Sequence, residues 1–141
     1  MDYFPTLRHI LTRQSNAAEK ALFALAEYKV IEGRLTPEWP LSDPAILVDT
    51  NGGDEAGGSC GRVIHPTLEI WCYGADGEQA ASKTLEAAVA DVLNGVLDIT
   101  TPYGSLMSSI RESPATFERD PDLLRAFQRA TYRTWFSSIT G

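Results

Sequence analysis

The chain contains few of the residue types from which chemical sites are usually built. Among 141 residues there are two cysteines and two histidines, and twelve basic side chains are outnumbered by nineteen acidic ones. Tight nucleic-acid binding usually rests on clustered lysine and arginine, so free DNA is not an expected ligand. Structural zinc sites usually pair ligands about two to four residues apart, and Cys60, His65, Cys72 and His9 are not so paired. We therefore expect no metal and no cofactor.

Long hydrophobic runs are also absent. No apolar stretch approaches the roughly 18–20 residues of a membrane span, and the first residues lack the basic-then-apolar pattern of a signal peptide. These absences predict an intracellular protein that makes no membrane contact. In that compartment both cysteines are expected to be free thiols.

The acidic excess is concentrated in the middle of the chain. Residues 31–90 carry three basic and ten acidic side chains, a net charge of −7 that equals the net charge of the whole chain. Such a segment repels free DNA, and for the same reason it suits a wall past which DNA slides. The length and the hydrophobic fraction of 43% are those of one folded domain.

Apolar spacing predicts helices in the N-terminal region, residues 1–28. The pattern from Thr6 to Glu27 is helical, with an interruption at residues 14–16 where Ser15 or Asn16 can cap a second helix. A first strand is predicted within Tyr28–Leu35, at the start of the core region, residues 29–141. Three prolines then stiffen a connector to the next strand.

The order of elements is clearest between residues 45 and 95. Strand Ala45–Thr50 is followed by a glycine loop at residues 51–61 and then by a strand that includes Val63 and residues 68–73. An alanine-rich helix follows, with Asp76 as the expected cap and Gly95 as its end. Beyond it, we predict a strand at residues 106–111, a loop at 114–121, and a final strand within residues 126–139, preceded by one helical turn opened at residues 120–121.

One motif in the sequence matches a pattern found in catalytic sites. Residues 57–61, Gly-Gly-Ser-Cys-Gly, satisfy G-x-S-x-G, which makes Ser59 a candidate nucleophile. That motif needs a strand before it and a helix after it, whereas here a glycine-rich loop precedes it and a strand-like segment follows. No histidine follows His65 to complete the usual order of serine, acid and histidine. A flexible loop is the preferred interpretation, and no catalytic residue is assigned.

Charged and aromatic residues provide candidates for protein contacts. Arg125, Arg129 and Arg133 share one face at a spacing of four, which fits either a solvated basic edge or pairing with an acidic neighbouring subunit. The strand at residues 68–73 carries aromatic side chains on its otherwise polar face, which suggests a covered face or a partner. The candidate interface residues are Gly52, Gly53, Asp54, Glu55, Trp71, Tyr73, Arg125, Arg129, Arg133 and Trp135.

This order of elements resembles the tail terminator, or tail completion, proteins of long-tailed bacteriophages. The resemblance rests on the proline-rich approach, the strand Ala45–Val48, the loop at Gly52-Gly53 and the strand at residues 68–74. It continues through the helix at residues 79–95, Ser113-Pro114 and the final aromatic strand. It covers the last two-thirds of the chain, while the helical N-terminus departs from a minimal member of that family.

The resemblance implies a single α+β domain with a mixed, mainly antiparallel sheet flanked by helices. It also implies a homo-hexameric ring that caps the tail tube, stops its growth and meets the neck or head-completion protein. Genomic DNA passes through the lumen of such a ring without specific binding. The implied location is the tail–neck junction of a virion assembled in the host cytoplasm, and the implied role is not enzymatic.

Three other functions remain open from the sequence. One is another head–tail connector, neck adaptor or tail tube component. A second is a serine hydrolase that uses Ser59. A third is a regulatory or small-molecule-binding α+β domain.

Overall fold

The computed structural model describes residues 2–54 and 63–138. Its helices are α1 (Phe4–Thr12), α2 (Ala17–Ala26) and α3 (Gln79–Leu93). Its strands are β1 (Val30–Glu32), β2 (Ala45–Asp54), β3 (Val63–Tyr73), β4 (Val96–Thr101), β5 (Gly104–Arg111), β6 (Thr116–Asp120) and β7 (Arg125–Ser137). The predicted α+β class is confirmed.

All seven described strands join one sheet in the order β1-β2-β3-β7-β5-β4, and β6 pairs with β7 beyond the end of β5. The pairing of β1 with β2 is parallel, and the other pairings are antiparallel. The longest strand, β7, therefore lies in the middle of the sheet. The sheet is mixed and mainly antiparallel, as predicted.

The three helices cover one face of the sheet, which we call the front face. Alternate residues of β3 and β7 point towards the helices, and these include Leu68, Ile70, Tyr132 and Phe136. The opposite face, which we call the back face, carries a second and smaller apolar cluster. That cluster consists of the buried residues Leu35, Ala45, Leu47, Tyr73 and Phe127. Both faces of the sheet are therefore covered, at least in part.

The N-terminal helices follow the predicted pattern. The interruption separates α1 from α2, and the Asn16 side chain caps α2 by accepting a hydrogen bond from the Glu19 backbone N–H at 2.9 Å. The Glu19 side chain in turn accepts hydrogen bonds from the Ser15 backbone N–H and the Arg13 guanidinium. These reciprocal bonds satisfy donors at the start of the helix and fix the turn between the two helices.

Three sequence predictions about the elements were wrong. Residues 51–54 continue β2 instead of opening a loop, and residues 116–120, predicted as loop, form β6. The predicted helical turn before β7 is present, because the Leu124 N–H donates to the Asp120 carbonyl four residues earlier, and the strand begins at Arg125. The cap position of α3 is Glu78, which makes no side-chain cap bond, because Asp76 adopts a left-handed conformation (φ 59°) in the preceding 3-10 turn.

Candidate assembly surface

The strand pairing places six of the predicted interface residues on the back face. Tyr73 lies opposite Phe127, Trp71 opposite Arg129, and Thr67 opposite Arg133. Since side chains alternate along a strand, Arg125, Arg129, Arg133 and Trp135 share this face along β7. The predicted common face of the arginines is therefore confirmed, although their environments differ greatly.

One half of the back face is covered by the connector between β1 and β2, residues 33–44, which we call the strap. Arg125 holds it in place, because its guanidinium donates to the carbonyl oxygens of Pro40 and Asp43 in the strap and to that of Gly74. Arg125 is only 2% exposed, and its Cζ lies 5.7 Å from the centre of the Tyr73 ring. Burial lowers the pKa of Arg125 from its usual value, with the negative groups nearby acting in the opposite direction. The interpretation of Arg125 as part of a solvated edge is therefore wrong.

Three aromatic rings form the floor beneath the strap. The Phe127 ring centre lies 5.5 Å from that of Trp71 and 5.0 Å from that of Tyr73. The Tyr73 hydroxyl lies 3.4 Å from the Asp120 carboxylate, and burial raises the pKa of Tyr73 well above its usual value. Beside the strap, these rings line a cleft of about 460 Å³, together with Arg34 and the turn after β6.

The other half of the back face has no strap over it and is lined by charged side chains. Arg129 contacts Glu69 at 3.4 Å and Glu118 at 2.8 Å. The side chain of Arg133 is 71% exposed and contacts Glu112 at 2.9 Å. These arginines therefore neutralise carboxylates within their own chain, and exposed pairs of this kind contribute little to stability.

Apolar side chains share this open half. Trp135 stacks on His65 with ring centres 4.3 Å apart and remains 39% exposed. Leu97 lies opposite Ser108, which lies opposite Trp135, and Ile110 lies two residues from Ser108 on the same face. The sequence analysis missed Leu97 and Ile110. The β-branched and apolar content of residues 96–101 was the signal that could have revealed β4 and, with it, Leu97.

The glycine-loop candidates lie at the distal end of β2. Gly53 pairs with Pro66 and Asp54 with His65, after an irregularity between Thr50 and Gly53 that includes Gly52. Strands β2 and β3 thus extend as a long hairpin past the point where the pairing is first disrupted. Glu55 lies outside the described residues.

Only some of the candidates for chemistry lie in the part of the chain that the structure describes. Ser59 and Cys60 lie outside the described residues, and the segment that follows them is strand β3, not the helix that a nucleophile elbow needs. His65 and Cys72 point to opposite faces of β3 and cannot share a metal ion. Cys72 is a free, buried thiol whose pKa is raised by burial, with Glu86 adding to the effect. Within residues 2–54 and 63–138, no group of three or more potential metal ligands is found, and no helix is long and apolar enough to cross a membrane.

No protein-family model matches the chain, and no curated protein matches it. Among solved structures, the fold is similar to that of a chain in the structure described as "Virion of native gene transfer agent (GTA) particle". The TM-score is 0.61, and the match covers 88% of this chain and 87% of that chain. The two sequences are 18% identical, so the likeness shows a shared fold.

Proposed function

We propose that this protein is a structural component of a phage-like virion. The observation that carries the proposal is the fold shared with a chain of a gene transfer agent virion over nearly the full length of both chains. A match confined to one motif would carry little weight, because folds host many functions. Here the match covers 88% of this chain, and the sequence itself resembles a virion family over its last two-thirds.

Within that class, we propose the role of tail terminator. In this role the protein forms a homo-hexameric ring that caps the tail tube, stops its growth and presents its other side to the neck or head-completion protein. The action is mechanical and not catalytic. Genomic DNA passes the acidic segment without specific binding, and the site of action is the tail–neck junction of a particle assembled in the host cytoplasm.

The surface proposed for these contacts is the open half of the back face together with the β2–β3 hairpin. Arg129, Arg133 and Trp135 are accessible there. Gly52, Gly53 and Asp54 lie at the end of β2, Glu55 follows them in the sequence, and Trp71 belongs to the adjoining cleft. Tyr73 and Arg125 are buried, so we assign them the role of holding the strap beside this surface.

The test is the native mass of the purified protein by size-exclusion chromatography with light scattering, followed by imaging with isolated tail tubes. The expected result is a ring of one size, or a monomer that forms single rings on tube ends and stops their growth. Trp135→Ala should weaken capping, whereas Tyr28→Ala, which removes an exposed aromatic ring just before β1, should not. A protein that stays monomeric and leaves tube growth unchanged would contradict the proposal.

The same experiment distinguishes the tail terminator role from a second candidate function, that of another head–tail connector or a tail tube component. The shared fold favours it equally, because it does not specify a position in the particle. A tube subunit should polymerise alone into long tubes. A neck adaptor should bind neck components and leave bare tube ends uncapped.

A further inference from the structure

The strap over the back face is held by hydrogen bonds in its second part only. There the carbonyl oxygens of Pro40 and Asp43 accept hydrogen bonds from Arg125, and that of Leu41 accepts one from the Asp76 backbone N–H at 2.7 Å. We call the first part of the strap, residues 34–38, the flap. Within the described ranges its hydrogen bonding is local, because its one bond runs from the adjoining Trp39 N–H to the Thr36 carbonyl at 3.1 Å. No polar contact there fixes the flap to the sheet.

A single buried side chain attaches the flap to the sheet. Leu35 is 8% exposed and packs in the second cluster, whereas the other four flap residues are exposed. A segment with one buried apolar side chain and no hydrogen bond to the sheet beneath it belongs to the part of a protein that opens at low cost. Closure of the flap therefore depends on Leu35.

Open space lies on both sides of the flap. Leu35 and Pro37 line the cleft of about 460 Å³, and the same two residues line the neighbouring cleft of about 380 Å³. They therefore belong to the wall between the two clefts. The Tyr73 and Phe127 rings lie at the floor of the larger cleft. Movement of the flap away from the sheet joins the two clefts above these rings.

A glycine precedes the flap at the point where the chain leaves β1. Gly33 has a φ of 101°, a conformation that favours glycine, and no other group lies within 4 Å of the position a Cβ would take. Its backbone N–H donates to the Val48 carbonyl at 3.1 Å, which keeps this end of β1 on the sheet. Hinges are usually a few residues at the end of an element that absorb a change in backbone angles. Gly33 meets this description.

We propose that the flap lifts about Gly33 while the rest of the strap stays bound to Arg125. In the closed form Leu35 separates the two clefts. In the open form the clefts are joined, and the Tyr73 and Phe127 rings meet solvent. The back face of the folded protein thus has two forms, of which the open one presents more apolar surface. This inference does not depend on the proposed function, because opening is a property of the isolated chain.

The test measures how fast buried thiols react with iodoacetamide in the folded protein. In a Cys60→Ser background, Leu47→Cys places a reporter thiol in the second cluster, and the native Cys72 reports on the front core. Peptide mass spectrometry follows both thiols in one molecule. The reporter thiol should react at least about 100-fold faster than Cys72, because flap opening leaves the core folded. Low concentrations of urea should not change the reporter's rate, because opening exposes little surface.

The matched control places the thiol one residue earlier on the same strand. Ile46 is fully buried and belongs to the front core, so the thiol of Ile46→Cys should react as slowly as Cys72. Both of these rates should rise with urea, because both thiols become accessible only when the core opens. A Leu47→Cys thiol that reacts as slowly as Cys72 would overturn the inference.

Two further variants distinguish movement of the flap from detachment of the whole strap. Leu35→Ala should speed reaction of the reporter thiol about 30-fold, because it removes most of the apolar contact that closes the flap. Arg125→Met should leave that rate within about twofold, because the bonds of Arg125 persist in the open form. The same variant should speed reaction of Cys72, because it lowers the stability of the whole fold. Equal acceleration of the reporter thiol by both variants would show that the whole strap detaches, and the proposed flap would be wrong.

Discussion

The two faces of the sheet are closed by different physical means. The front face is covered by three helices, whose backbone groups are satisfied within each helix and whose apolar stripes pack against the sheet. The back face is covered over half its length by a strap without regular secondary structure, whose carbonyl groups need partners from elsewhere. A single buried arginine supplies donors to two of them. The helices are therefore held on the front face by packing, whereas the strap is held on the back face by packing and by the hydrogen bonds of Arg125.

The two kinds of cover also explain which side of the sheet has accessible side chains. Helices cover the front face along the length of β7, so its front-facing side chains are buried from Ala126 to Phe136. The strap ends beside Phe127, and beyond it the back face presents ion pairs and partly exposed apolar side chains. The accessible part of the back face therefore lies outside the principal core.

The largest expected change in the free energy of unfolding follows the loss of a large side chain from the core under the front face. Leu68→Ala, at a fully buried position, should lower the free energy of unfolding by about 4 kcal/mol, whereas Leu47→Ala in the second cluster should cost about 2 kcal/mol. The second cluster lies beside clefts of about 460 and 380 Å³, which give its neighbours room to settle into the vacated space. Urea denaturation of both variants measures the difference. Equal costs would show that the strap confines its cluster as tightly as the helices do.

A smaller effect is expected from removal of the polar anchor. Arg125→Met keeps much of the side-chain volume but leaves the Pro40, Asp43 and Gly74 carbonyls without their donor, which should cost about 3 kcal/mol. Arg119→Met, at an exposed position in the neighbouring strand, should change stability by less than about 0.5 kcal/mol. Urea denaturation measures both costs. A cost for Arg125→Met no larger than that of its control would show that the strap is held by apolar contacts alone.

The fold class and the front face were predictable from the sequence because their signals are periodic. The apolar spacing in α1, α2 and α3 and the alternation in β3 each repeat several times, so one unusual residue does not hide them. Strand β6 was missed because it is short and polar, lies between prolines, and has no periodicity of its own. Its formation depends on pairing with β7, which the local sequence does not reveal.

The candidate surface was predictable only in part, for a related reason. A spacing of four placed the three arginines on one face, but it did not show that Arg125 is buried beneath the strap. That burial depends on a carbonyl 85 residues away in the chain.

The smallest expected effects concern one buried tyrosine on each face. The Tyr132 hydroxyl on the front face is buried and has no hydrogen-bond partner in the described part of the chain, whereas the Tyr73 hydroxyl faces Asp120. Near neutral pH, Tyr132→Phe should therefore be neutral or stabilising by up to about 1 kcal/mol. Tyr73→Phe should cost about 0.5–1 kcal/mol because it removes a hydrogen bond. Thermal denaturation at neutral pH measures the change in stability of each variant. A Tyr132→Phe variant less stable than the unaltered protein would contradict the expectation that this hydroxyl lacks a hydrogen bond.

The buried Tyr132 should also contribute to a loss of stability in alkaline solution. Burial raises the pKa of Tyr132, with Glu86 and Cys72 adding to the effect and Arg111 opposing it, so the folded protein disfavours the ionised phenol. An unfolded tyrosine ionises near pH 10, and stability is therefore retained below about pH 10 and falls as the pH rises further. Tyr132→Phe removes one such group and should lose less stability between about pH 9 and 11 than the unaltered protein. The control is Tyr103→Phe, at an exposed position between β4 and β5, which should lose as much stability at alkaline pH as the unaltered protein. If Tyr132→Phe also loses as much, the Tyr132 hydroxyl does not contribute to the alkaline loss of stability.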